Sequence, residues 1–485
     1  MKIAYMIFVL IANSILIFAA NVKVSDKSIN VSPVFFGVNT LYWLQDDRTR
    51  NNEDLMKYLR DLKLEIMRYP GGEVADNFDW RTNTLNNPKE FPYEKSPEKD
   101  ASNRMDFDEF ISWKNRLGVK DATIVVNLEE AFVEHNLEKA ARLAAAWVDY
   151  ANNKKNYNIK YWEIGNESYH LKTRYPLTAM EYSKAFKVFY KYMKRVDPSI
   201  KLGAIGPLSY KKIPNISFIS SRDLRKLRSI RDTKKRNRYI DEIKQRIKHH
   251  SKNNVSGSWW KILTEKIGDE MDFAVVHRYY SKRIKNSQFN IPLRFDRPVE
   301  KLRQFLKNNT GREIDIALTE WSFSKKSKLT SIYKSLTLAE MIGDYLKSGL
   351  LMTNYFMLYK KKKNYRALFD HRTLKPKPIY YVFKTFTHYT YDKILKTKSD
   401  ERTLYALSSK DSKNGSLSLF LINKSSKEMN AHIELPEYYR PIESLEIDRK
   451  DLVPHLLKRY REKQSSSKWE LSLDPLSLTV VKFEH

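Results

Sequence analysis

The sequence predicts a (β/α)8 (TIM) barrel followed by a C-terminal β-sandwich. Three observations predict it. Eight short apolar runs recur between residues 34 and 359, with helix-like segments between them. Each run is almost continuously apolar, as strands are when both faces of a parallel sheet are covered. After residue 385 the helical spacing gives way to short alternating runs, which suit an antiparallel sandwich.

In chain order, the first segment is "MKIAYMIFVLIANSILIFAANVKVS", one lysine followed by an apolar run and two small residues, Ala19 and Ala20. Residues 1–20 therefore read as a secretory signal peptide, which implies a secreted or periplasmic protein. A cut after Ala20 puts the bulky Phe18 where a small residue is preferred, so an uncleaved N-terminal anchor stays open. Residues 21–33 are strand-like and are expected to join the sandwich. Residues 34–385 hold the barrel, whose runs are "VFFGVN", "LEIMRYPGG", "ATIVVNLE", "KYWEIGNE", "KLGAIGP", "DFAVVHRYY", "IDIALTEWSF" and "TNYFMLY". After the fifth run the pattern breaks. Residues 211–260 carry 15 Lys and Arg against 4 Asp and Glu, with Leu224, Leu227, Ile230, Ile240, Ile243 and Ile247 at helix-like spacings. This is a basic helical insertion in a loop at the C-terminal end of the strands. Residues 386–485 form the sandwich.

A chain of 485 residues can build a large core, and 41% hydrophobic content makes it globular. The absence of cysteine excludes disulfides and thiolate metal sites. Histidines are scattered without ligand spacing, so neither a metal nor an organic cofactor is expected. The net charge of +30 points to anionic surroundings, either an acidic glycan or an anionic envelope surface. Nucleic acid is a poorer fit for an exported chain. A lysine-rich solvated surface is the plain alternative, and composition leaves the oligomeric state open.

Polar residues collect at the C-terminal ends of the runs: Arg68, Asn127, Asn166, Glu167, His277, Tyr279 and Glu320. In this fold the active site forms at that end. Two carboxyl groups there, Glu167 and Glu320, suit glycoside hydrolysis, in which one protonates the leaving oxygen and the other attacks the anomeric carbon. Their surroundings must differ so that their proton affinities differ. Arg68 and Tyr279 are placed to reach Glu320, and Asn166 to bond a sugar hydroxyl.

These motifs resemble clan A glycoside hydrolases, most closely family 51, the α-L-arabinofuranosidases, with families 39 and 79 nearby. The resemblance rests on "RYPGG" followed by "NFDW", on "VVNLEEA" followed by "WVDYAN", on Asn166-Glu167, on "HRYY" and on "TEW". It implies a retaining hydrolase of polysaccharide or oligosaccharide, with Glu167 as acid/base and Glu320 as nucleophile. It implies that Tyr279 contacts the nucleophile. The strand-three region "NLEEAF" lacks the glycine-rich turn usual in family 51, which opens the substrate to xylosidase-like or uronidase-like alternatives.

Trp321, next to Glu320, is the candidate platform for stacking a sugar ring. Arg68, Asn127, Asn166, His277 and Tyr279 complete the expected binding set. Each has a plain reading too: Arg68 as a buried structural partner, His277 as a satisfied core histidine, Trp80, Trp162 and Trp321 as core aromatics. Asp76, Asp79 and Glu163 are expected to pair with arginines. The rival function is a non-catalytic polyanion-binding protein on a glycosidase fold.

Overall fold

The structure is a computed structural model of the 485-residue chain. It describes residues 18–41, 47–86, 104–209, 219–247, 258–280, 292–324, 329–360, 365–461 and 464–485. Most of the expected leader lies outside these residues, as do both ends of the basic insertion and Lys361–Lys363 of the lysine run Lys360–Lys363.

The chain opens with β1 (Phe18–Asn30) and then enters the barrel with β2 (Phe36–Asn39) and β3 (Ile66–Tyr69). A small hairpin follows, β4 (Phe78–Asp79) and β5 (Thr84–Leu85). The barrel continues through β6 (Asp121–Val126), β7 (Tyr161–Ile164), β8 (Lys201–Pro207), β9 (Phe273–Tyr280), β10 (Asp315–Phe323) and β11 (Met352–Tyr355). These eight barrel strands are parallel and close in the order β2-β3-β6-β7-β8-β9-β10-β11, with β11 pairing back to β2. All eight apolar runs are barrel strands. Helices such as Leu137–Val148, Ala179–Val196 and Ser331–Lys347 pack outside, each turning an apolar face to the strands. Ala179–Val196 starts with a capping box between Thr178 and Glu181, which fixes where the chain leaves the site loop.

The sandwich comprises β1 with β12 (Lys393–Ser399), β13 (Leu404–Lys410), β14 (Leu417–Asn423), β15 (Met429–Ile447), β16 (His455–Arg459), β17 (Ser466–Leu473) and β18 (Ser477–Glu484). The sheet folds back on itself. β1 pairs antiparallel with β12 and parallel with β15, and β15 pairs with β18. An interior of Val22, Leu419, Ile433, Val481 and Phe483 fills the space between the layers. β1 begins inside the expected leader: Ala20 is fully buried and lies opposite Ala431. A cut after Ala20 would remove three of the six β1–β15 pairs. Among the described residues, no helix is long and apolar enough to cross a membrane.

Barrel and sandwich pack directly. Phe386 stacks on Phe420 at 4.6 Å, and the fully buried Lys424 ammonium meets Glu340 at 3.1 Å.

The basic insertion folds into two helices, Ser221–Ser229 and Thr233–Ile247. Leu224, Leu227, Ile240 and Ile243 form a small core of their own with Tyr239 and with Leu171, a residue of the loop after β7. The helical spacing thus marks a face that buries itself against that loop. The basic residues Arg222, Arg225, Lys226, Lys234, Lys235 and Arg238 stay exposed.

Candidate active site

The site forms at the C-terminal ends of β2, β3, β7, β9 and β10. At its base is Arg68, fully buried on β3. Its guanidinium donates to both oxygens of Glu163 (2.9–3.1 Å), to Asn39 (3.0 Å), to Asn166 (3.0 Å) and to Glu320 Oε1 (2.8 Å). Glu163, fully buried on β7, also accepts from Thr123 and Thr319. A buried ion is tolerated only with this degree of compensation. Arg68 therefore orients Glu320 and Asn166 from beneath and has no face toward the cleft. This corrects its assignment as a substrate-binding residue. Glu163 pairs with an arginine as expected.

Glu320 reaches the cleft because β10 carries an irregularity. Leu318 pairs with Val276 and Glu320 with His277, so Thr319 is one extra residue on β10. Such a bulge re-aims side chains. Thr319 and Glu320 both face the barrel interior, and Trp321 falls on the opposite side. Trp321 is 1% exposed and packs edge-on against Tyr345 and Tyr355, between strand and outer helix. It cannot stack on a sugar, which corrects the expected platform. The period of two along a strand already places neighbours on opposite faces.

Tyr279 donates to Glu320 Oε2 at 2.6 Å. Burial and then the Glu320 charge push its phenol well above the ordinary value, so it remains a donor. The Arg366 guanidinium lies 4.5 Å from the centre of its ring.

Glu167 sits just beyond β7 on a turn that its sequence permits. Gly165 has φ +76°, and a Cβ there would come within 2.8 Å of Leu128. Glu167 itself has φ +49°, an uncommon conformation for a side-chain-bearing residue. Asp76 accepts the Asn166 backbone N–H at 3.0 Å, and the Glu167 carbonyl accepts from His170 N at 2.8 Å. So Asp76 holds backbone where an arginine partner was expected, and Asp79 pairs only with its near neighbour Arg81.

His277 joins the two carboxyl groups. Its Nδ1 lies 3.0 Å from Glu167 Oε1 and 3.8 Å from Glu320 Oε2, and its Nε2 lies 3.2 Å from Thr319. One donor atom each from Glu167, His277 and Glu320 lie within 4.8 Å of one another. Burial raises the proton affinity of Glu167, but the hydrogen bond from His277, together with His170 and Arg68, outweighs it and holds the carboxyl at about 2. His277 is thus bonded within the site, on its wall.

Asn127 does not join this constellation. Its amide donates to Phe78 O at 3.4 Å and accepts from Glu130 N at 3.2 Å. It lines a neighbouring cavity of about 490 Å³ with Trp80 and Trp147. That corrects its place among the binding residues. Trp80 stacks on Trp147 and Trp162 is fully buried, so both are core aromatics or nearly so.

Sequence reading missed Glu73. It follows Gly72, from which a Cβ would stand 4.0 Å from Glu320 Oε1. Glu73 keeps solvent access but lies in a concave place, where burial, then Glu167, Glu129 and Glu320, raise it to about 7. It also missed Asn39 and Thr319. An Asn ending the first apolar run was the available signal for Asn39. Among the described residues, a second group of three potential metal donors occurs in the sandwich, Glu446, Asp448 and His455.

Residues 58–253 match the family model described as the alpha-L-arabinofuranosidase 1 domain. That span contains Glu167 and ends before Glu320. The chain is 28% identical over 189 residues to alpha-L-arabinofuranosidase C of Emericella nidulans, covering 34% of each chain. It is 28% identical over 168 residues to an intracellular exo-alpha-(1->5)-L-arabinofuranosidase of Halalkalibacterium halodurans, covering 32% of each. The matches span about a third of these relatives' length. In fold, 96% of the chain superposes on all of the Thermotoga maritima alpha-L-arabinofuranosidase at a TM-score of 0.66 and 18% identity. The same share superposes on the family 51 arabinofuranosidase of Xanthomonas axonopodis pv. citri at 0.70 and 14%. The structural likenesses show the shared fold, and the family-model likeness to arabinofuranosidases lies within the first part of the barrel.

Proposed function

We propose that this chain is a retaining glycoside hydrolase, arabinofuranosidase-like, with Glu320 as nucleophile and Glu167 as general acid/base. The observation that carries the proposal is that one oxygen of Glu167, on the turn just beyond β7, and one of Glu320, on β10, lie within 4.8 Å of each other, both facing His277. Retaining enzymes place their carboxyl groups about 5–5.5 Å apart, and inverting enzymes leave more room for water.

In the first step a Glu320 oxygen bonds to the anomeric carbon as the glycosidic bond breaks, and Glu167 passes a proton to the departing oxygen. In the second, Glu167 takes a proton from water, whose oxygen displaces Glu320. Glu167 ionised in the free protein suits the second step. For the first, Glu167, whose side chain is 21% exposed, takes a proton from solvent before the glycosidic bond breaks. Arg68 and Tyr279 fix both oxygens of the nucleophile, and Arg68 also holds the Asn166 side-chain oxygen.

An aryl α-L-arabinofuranoside is the first substrate to try, beside xylosides and glucuronides. Glu320→Ala abolishes turnover. Glu167→Ala is slowed, and azide partly restores it on an activated aryl glycoside, whose leaving group needs no acid. Full activity in either variant refutes the assignment.

The finer substrate reading is an acidic or sulfated glycan. The exposed basic residues of 221–247 stand on a hairpin packed against the loop that carries Glu167. Lys360, at the end of the segment after β11, is exposed as well. Charge on one rim would draw anionic polymer toward the cleft. An exported location rests on the expected leader.

A further inference from the structure

The insertion has a second feature, independent of its exposed charge. Two of its arginines turn inward, and both bond the loop after Glu167. Arg236 is 1% exposed. One of its nitrogens donates to the carbonyls of Thr173 (2.8 Å) and Leu171 (3.3 Å), and another bonds the carbonyl of Leu227 within the insertion. Arg228 donates to the Pro176 carbonyl at 2.7 Å and grips both oxygens of Glu181 at 2.9–3.1 Å. Its guanidinium also lies over the Tyr175 ring at 4.3 Å. Leu171 completes the apolar core between the insertion helices.

A buried guanidinium must be paired and hydrogen-bonded, and Arg236 meets this with the loop carbonyls and the nearby Glu129 charge, which ties the insertion to the loop. What these contacts hold is the stretch 171–176. Its upstream end is Glu167 in a left-handed backbone conformation, tied back by His170 N and by Asp76 at Asn166. Its downstream end is the capping box of the helix Ala179–Val196, whose Glu181 Arg228 grips. Glu129 closes the ring from the other side by accepting from Tyr175 N at 3.0 Å. The loop is thus fixed at its start by barrel residues and along its length by the insertion.

We infer that the basic insertion is an intramolecular clamp on the acid/base loop, with Arg236 and Arg228 as its positioning residues. The inference rests on Glu167 being the general acid/base. Neither arginine touches substrate. Each acts by keeping the 171–176 backbone in place, so that the Glu167 carboxyl meets the leaving oxygen.

The test separates acid positioning from general destabilisation by the leaving group. Full-length wild type, Arg236→Met, Arg236→Lys, Arg228→Gln and Glu167→Gln are assayed on two glycosides of the sugar that wild type cleaves. One has a dinitrophenyl leaving group, which departs without a proton, and the other an alkyl leaving group, which needs one. General acid assistance contributes about 10²–10⁴-fold, so a misplaced acid is expected to cost Arg236→Met about tenfold or more in kcat/KM on the alkyl glycoside. Its kcat/KM on the dinitrophenyl glycoside, which reports only the step in which Glu320 attacks, stays within about twofold of wild type, because the groups around Glu320 are intact. Arg228→Gln shows the same bias more weakly, and it reads out the clamp if Arg236→Met does not fold. Arg236→Lys recovers part of the loss, since an ammonium can still meet one carbonyl. Equal losses on both glycosides, or no loss on either, in the variants that fold overturn the clamp. If Glu167→Gln itself shows no leaving-group bias, the functional assignment fails instead. A biased Glu167→Gln with unbiased arginine variants refutes the clamp alone.

Discussion

Arg68 and Glu163 are both fully buried and share three hydrogen bonds, so removing Arg68 strands the Glu163 carboxylate in the barrel, whereas removing Glu163 leaves Arg68 paired with Glu320. Breaking a buried pair from one side costs about 3–5 kcal/mol, whereas replacing both members with apolar residues is often nearly neutral. Arg68→Met should therefore lower unfolding free energy by about 3–5 kcal/mol, and Glu163→Met by less, because Arg68 keeps Glu320. The double variant is not free of cost. Arg68 also donates to Asn39 and Asn166, and hydrogen bonds of this kind contribute about 1 kcal/mol each. Glu320 also loses its 2.8 Å cation partner, so the double variant should lie below wild type by more than these two bonds, yet short of the sum of the single losses. Urea unfolding with an unchanged slope measures each value, and the cycle isolates the coupling. Activity follows a different course. Both variants lacking Arg68 lose the 2.8 Å donor to Glu320, so turnover does not return in the double variant even as stability does. Strict additivity of the two stability losses would refute the claim that these charges compensate each other. Recovery of turnover in the double variant would refute the positioning of Glu320 by Arg68.

Two further outcomes are expected. Burial raises the carboxyl groups of Glu65, Glu129 and Asp344 to about 7, so each binds a proton on folding between its unfolded value and about pH 7. Their contribution is fully present below the unfolded value and is lost as pH rises through about 7. Thermal melts in moderate salt should thus show greater stability at about pH 5.5 than at about pH 8, and the reverse order would contradict this. Glu167 acts in the opposite sense, but only as pH falls from about 4.5 toward 2. For the acidic-glycan reading, affinity for a sulfated polysaccharide should drop steeply between low and moderate salt while turnover of a small neutral aryl glycoside holds, because exposed charges are screened within about 10 Å at 0.1 M salt. Polymer affinity that ignores salt would leave the insertion's exposed charge as solvated surface only.

What could be seen in advance depended on how each residue couples to its strand. A parallel barrel strand must be apolar on both faces, so the eight runs were visible one by one, and polar residues at their C-terminal ends stood out against them. Arg68, Glu167, His277, Tyr279 and Glu320 were found that way, and the structure brings all five together. Depth was not visible. Arg68 and Asn127 are both polar residues at strand ends, yet one lies beneath the cleft and the other beside it, because barrel register decides the layer in which a side chain falls. Trp321 was misplaced for a related reason: closeness in sequence to Glu320 was read as closeness in the cleft, when adjacent strand residues face opposite ways. The bulge at Thr319 has no sequence signature, and it alone lets Thr319 and Glu320 face inward together. The insertion is the instructive case. Its charge count suggested a basic rim, and eight of its described basic residues are indeed exposed, but Arg228 and Arg236 are spent on backbone carbonyls of the 171–176 loop. Net charge records how many arginines a segment has. Only the apolar spacing of Leu224, Leu227, Ile240 and Ile243 hinted that one face turns inward, and a basic residue on that face must find acceptors there. Those acceptors are carbonyls of the loop that follows Glu167, which ties an insertion remote in sequence from Glu320 to that loop.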